Sequence, residues 1–171
     1  LPHLALYTFG TLKAPLSDPA PLVREFIDGA GGVYDQISGH PGYLGHAEAV
    51  DPAPGGHFDL DWGAWGEFAV PTWYEGGRTA QTIALATTLS LWTAAQPAFE
   101  AIYTGLHRTA LNRRHDWFAR TGHPSHVCWW VAEGAVPTWQ EGTAKLEHLH
   151  AHGPTPAAFT FHRSFDRADL T

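Results

Sequence analysis

Strand-like and helix-like segments follow one another along this chain in an order that few folds accommodate. Residues 3–12, HLALYTFGTL, are apolar and β-rich, and predict a first strand buried on both faces or nearly so. Pro15, Asp18 and Pro19 break it. Over residues 20–37, Leu22, Val23, Phe26, Ile27, Val33, Tyr34 and Ile37 keep helical spacing, with Asp18 as the expected cap and glycines at 29–32 weakening the helix. YLGHAEAV (43–50) reads as a second strand. Residues 51–80 are irregular and carry Trp62, Trp65 and Trp73; so long a loop is expected either to cap a pocket or to serve as a dimer arm. QTIALATTLSLW (81–92) is the clearest strand. A long helix follows, with Thr93 as N-cap and Pro97 in its first turn, and Gly122 and Pro124 end it. A fourth strand is expected at 126–131. Thr138 and Glu141 then form a capping box for a third helix, which Gly153 and Pro154 stop, and a short last strand is expected at 158–162.

The first six elements, β-α-β-β-α-β, match the ferredoxin-like split unit, an α+β fold with an extra C-terminal helix and strand here. In that fold helices cover one sheet face and leave the other open. An open sheet carrying Trp129, Trp130 and a Leu-rich third strand needs covering, so the expectation is a homodimer that joins sheets face to face into a dimeric α+β barrel.

At 171 residues the chain makes one domain with room for a substantial core. Eight Trp and no Met point to a very aromatic core or to an aromatic-lined cavity for a flat organic ligand. A formal charge of −7 argues against a nucleic-acid surface, and the Arg108, Arg113, Arg114 cluster is too small to change that. A single cysteine, Cys128, excludes an intrachain disulfide and a Cys-rich zinc site; in its apolar strand it reads as a buried structural thiol. No apolar run reaches the ~20 residues of a membrane helix. The start lacks the charged region of a secretion signal, so a soluble cytoplasmic protein is expected.

The chemistry gathers on the long helix. Phe99, Ile102, Tyr103, Leu106, Ala110 and Trp117 give it an apolar face, and His107 and Arg114, seven residues apart, share one side with Tyr103 and Leu111. His107 reads as a general acid/base, as an axial ligand to haem iron, or as a core histidine bonded to a carbonyl. Arg114 reads as an anchor for a substrate carboxylate or developing oxyanion, as a partner of a haem propionate, or as a partner of Glu100 or Asp116. Arg113 lies four residues before Trp117 and is placed to stack on it. Trp92, Tyr103, Trp117, Trp129 and Trp130 are candidate walls for a small-molecule substrate. His148 and His152 share a helical face, but two ligands are a weak zinc signal, and a solvated helix end explains them as well. His40, His46 and His57 sit in loops or at a strand edge, with no spacing that ties them to a site.

The segments AQTIALATTLSLWTAAQPAFEAIYTGLHRTALNRRHDWF and CWWVAEGAVPTWQEGTAKLEHLHAHGPTPAAFTF, with LALYTFGTLKAP at the start, resemble the domain of unknown function 3291 family (DUF3291) over nearly the whole chain. The resemblance implies the dimeric α+β barrel, antibiotic-biosynthesis-monooxygenase-like superfamily. That superfamily holds cofactor-independent monooxygenases, isomerases, cyclases and haem proteins. It transfers no catalytic residue. The position of His107 is loosely similar to that of the axial histidine in haem-dependent aldoxime dehydratases. The functions expected are therefore a monooxygenase-like or cyclase/isomerase-type enzyme acting on an aromatic or polyketide-like molecule, a haem-binding dehydratase or oxygenase, or a non-catalytic ligand-binding dimer.

Overall fold

The computed structural model describes residues 1–53, 55–103 and 105–170, with residues 31, 105–107, 110, 168 and 170 described by backbone alone. Its elements run β1 (His3–Thr11), α1 (Pro21–Ser38), β2 (Tyr43–His46), β3 (Leu85–Trp92), α2 (Ala95–Tyr103), α3 (Gly105–Asn112), α4 (Arg114–Trp117), β4 (His126–Val131) and α5 (Trp139–His152). The fold is α+β. Four strands make one sheet in the order β2-β3-β1-β4, and every neighbouring pair is antiparallel.

Strand alternation divides the β1 side chains between two cores. Leu4 and Leu6 face one way, in register with Trp92 and Ser90 on β3 and with Trp130 and Cys128 on β4. They pack with Ala98, Ala101 and Ile102 of α2 and with Phe159. Ala5, Tyr7 and Phe9 face the other way with Leu89, Val127 and Trp129, against Trp139, Leu146 and Leu149 of α5. Gly142 permits that approach, because a Cβ there would lie 2.8 Å from Cδ2 of the Tyr7 ring. The α5 capping box forms as expected, with Thr138 Oγ1 accepting from the Glu141 N–H at 3.1 Å. Gly153 ends the helix at φ +72°, a conformation that suits glycine.

The sheet face expected to lie open is covered by the chain itself. Phe58, Trp62, Trp65, Phe68, Val70 and Trp73, from the irregular 51–80 segment, pack with α5 over this face. Trp62 and Phe68 meet the Trp139 ring at centroid distances of 5.2 and 5.0 Å. The tryptophans of that segment are therefore a roof on the sheet.

Several other elements differ from expectation. The stretch expected as one long helix is interrupted after Asn112, where Arg113 adopts φ −102°, ψ 7° ahead of the short α4. Tertiary pairing then ends the helical run, since Trp117 O accepts from Lys13 N and Ala119 N donates to Thr11 O at the end of β1. The second strand stops at His46, and the third begins at Leu85. Residues 158–162 form no strand, only single bridges from Phe159 to Cys128 and from Ala158 to Thr155. Asp18 does not cap α1; the N-cap is Ala20, whose N–H the Asp18 carboxylate accepts at 2.8 Å. Despite its glycines α1 runs unbroken, and no described helix is long and apolar enough to cross a membrane.

Candidate functional site

Between α1 and the helix-covered sheet face lies a small cavity of about 80 Å³. Leu6, Val33, Ile37 and Ile102 give it apolar walls, and Trp92, 1 % exposed, closes one end. Its polar lining comes from Thr8 and Thr88, whose hydroxyls lie 2.6 Å apart, and from Ser90, Tyr34, Tyr43 and His46. Ser90 Oγ accepts from the Trp92 indole N–H at 2.9 Å, which fixes that wall.

A β-bulge builds the reactive corner. Tyr43 and His46 are three residues apart, so a regular strand would send them to opposite faces. Here the register shifts between Tyr43 and Gly45, so that Tyr43 lies opposite Trp92 and His46 opposite Ser90. Trp92 and Ser90 point the same way, and so therefore do Tyr43 and His46. The β2 entry is pinned by Thr93 N donating to Gly42 O at 2.9 Å, and Gly42 is needed because a Cβ would sit 2.1 Å from Pro97 Cβ.

The Tyr43 hydroxyl is hydrogen-bonded to His46 Nδ1, and His46 Nε2 lies 3.0 Å from the Glu48 carboxylate. One tautomer satisfies both contacts: Nε2–H donates to Glu48, and Nδ1 accepts the phenol proton. The result is a hydroxyl–imidazole–carboxylate chain with its phenol end on the cavity. Burial, then the Glu48 charge, pushes the Tyr43 pKa up to about 12. Burial, then Tyr43, also raises that of Tyr34, whose ring centroid is 5.0 Å from that of His46. Both phenols keep their protons at neutral pH.

The residues singled out in the sequence scatter around this site. Trp92 is a cavity wall. Tyr103 stays on the same side of the sheet but packs on Phe99 and Phe161, at 4.6 and 6.2 Å between centroids. Trp117 packs at a tilt against Phe26 of α1, and Arg113 lies 4.9 Å over the Trp117 ring while pairing with Glu25 and Asp116. The exposed Arg114 donates to Leu111 O at 2.7 Å and does not line the cavity. Trp129 lies on the roofed face, where its indole N–H donates to Glu141 at 3.0 Å. Cys128 is buried, and burial raises its thiol pKa, so it stays protonated and inert. The His107 side chain lies outside the described residues. The sequence signal for Tyr43 and His46 was present in YLGH, but without the bulge it reads as two faces.

Among the described residues that line the cavity, both nitrogens of His46 are engaged and none is an arginine or lysine. No group of three or more His, Cys, Asp or Glu side chains among the described residues is placed to hold a metal ion.

An α+β protein with one roofed antiparallel sheet and a phenol–imidazole cavity under its first helix is the class that fold and site define. The chain belongs to the DUF3291 family: the family model described as "Domain of unknown function (DUF3291)" matches residues 3–171. No curated protein and no solved structure matches it.

Proposed function

We propose that this protein is a small-molecule enzyme that works by proton transfer and acts on a flat aromatic or polyketide-like molecule. The observation that carries the reading is the Tyr43–His46–Glu48 chain opening on a cavity walled by Trp92. A substrate proton passes to the Tyr43 oxygen as the Tyr43 proton moves to His46 Nδ1, and Glu48 steadies the imidazolium. Isomerisation adds return of the proton at another carbon, cyclisation adds attack of the carbanion on a carbonyl of the same substrate, and a monooxygenase-like reaction with O2 begins from the same carbanion. The sheet order β2-β3-β1-β4 supports a ferredoxin-like split unit beneath the site. Face-to-face pairing into a dimeric barrel, as the resemblance implied, requires a bare sheet face, and that face is roofed.

The test is solvent deuterium exchange into a panel of phenols, 1,3-dicarbonyls and aryl-fused ketones, followed by NMR. The wild type should accelerate exchange on at least one class, with Tyr43→Phe and His46→Ala each lowering the rate about 10²-fold or more. Variants as fast as the wild type, or no exchange on any class, would end the proposal. His107→Ala belongs in the same experiment: if it alone removes activity, the acid/base is on α3 and not on β2.

A further inference from the structure

Two phenols reach the cavity, and only one is committed to the imidazole. Tyr43 is bonded to His46, while Tyr34, arriving from α1 with its ring 5.0 Å from that of His46, makes no hydrogen bond to a described residue. We propose that Tyr34 is the hydrogen-bond donor to the carbonyl oxygen of an uncharged, enolisable ketone, and that the cavity accepts such ketones in preference to carboxylates or phosphates. The proposal rests on the proton-transfer reading above and adds to it the electrophilic residue and the charge class of the substrate.

The charge argument comes from the lining. Hydroxyls, one imidazole and apolar side chains surround the space, and none of the described lining residues is Lys or Arg. The two guanidinium groups nearest in sequence to the expected site are used elsewhere, Arg113 by Glu25 and Asp116 and Arg114 by Leu111 O. A carboxylate entering here would lose its water without gaining a counter-charge, and would meet the Glu48 carboxylate behind His46. A carbonyl carries no such cost and needs one good donor.

The step balances within the site. The Tyr43 oxygen takes the proton from the carbon next to the carbonyl while releasing its own to His46 Nδ1. The C–H electron pair becomes the enolate C=C, and the carbonyl π pair moves onto oxygen. Tyr34 donates its O–H to that oxygen, where negative charge grows. Its burial keeps it a protonated donor throughout. Return of the proton to the same carbon exchanges it with solvent, and in a β,γ-unsaturated ketone its delivery to the γ carbon of the dienolate gives the conjugated isomer.

The experiment uses 2-tetralone and its acidic counterpart tetrahydro-2-naphthoate, with binding read by tryptophan fluorescence and exchange by NMR in D2O. The ketone should bind at least about tenfold tighter than the acid. In Tyr34→Phe, which keeps the ring and so the packing, kcat for exchange should fall about 10²-fold with KM little changed. Equal or tighter binding of the acid, or an unchanged kcat in Tyr34→Phe, overturns the proposal. Ketone binding without exchange in the wild type would sink the proton-transfer reading and keep the preference for neutral ligands. A preference for the acid in a protein that still exchanges protons would do the reverse.

Discussion

His126 shows how one side chain on this sheet sets a stability limit. It opens β4 in register with Thr8, stacks on Phe161 at 5.2 Å, and accepts the Phe161 N–H on Nε2 at 3.3 Å. Burial, then the neighbouring His162, lowers its pKa to about 4. The unfolded chain binds this proton near pH 6.5 and the folded chain only near pH 4, so the contribution is complete above about 6.5 and is lost as pH falls towards 4. Denaturant titrations at pH 7.5 and pH 4.5 should differ by about 2 kcal/mol from this group. His126→Gln, which keeps an acceptor for Phe161, should shrink that difference; an unchanged pH profile would show that the imidazole titrates normally. Residue chemistry also decides the site, because Tyr43 and Tyr34 serve as protonated phenols, one in a relay and one as a donor.

Among the elements, α5 and β2 solve opposite problems. Helix α5 is anchored by local sequence: the Thr138–Glu141 box satisfies its first turn, and Glu141 also accepts the Trp129 indole N–H, tying the helix start to β4. Thr138→Ala should cost about 1 kcal/mol, a fall in Tm of about 2–4 °C by calorimetry, with exchange activity retained because α5 lies on the far sheet face. Strand β2 depends on its partner. Its four residues hold register only through β3, and the shift between Tyr43 and Gly45 is what turns His46 towards the cavity. The divided helix follows the same rule, since the amphipathic pattern from Phe99 to Trp117 is real but the backbone at 117–119 is claimed by β1.

At the scale of the molecule, the roof changes what the sheet needs from its surroundings. An uncovered face of Ala5, Tyr7, Leu89 and Trp129 would demand a partner; the 51–80 segment and α5 meet that demand within one chain. Sedimentation equilibrium should therefore give a monomer at micromolar concentration. Loosening the roof by Trp62→Ala with Phe68→Ala should expose apolar surface and drive self-association. A wild-type dimer would mean that copies meet through a surface other than this face.

Local pattern alone determined a good deal. Apolar, β-rich runs placed β1 and β4, 3.6-residue spacing placed α1, the S/T-x-x-E signature placed the start of α5, and the motifs along the chain named the family. Each of these is written in residues a few positions apart. The site was not legible in this way. Tyr34 comes from α1, Tyr43 and His46 from β2, and Thr8 and Trp92 from β1 and β3, and none of their spacings repeats along the chain. His46 could not be paired with Tyr43 from sequence because a period of two separates them, and the bulge that reunites them is fixed by register against β3. The roof was equally hidden, since an irregular aromatic stretch has no periodicity to say which face it will cover. Periodic information fixes elements; only the packing of those elements decides which side chains meet.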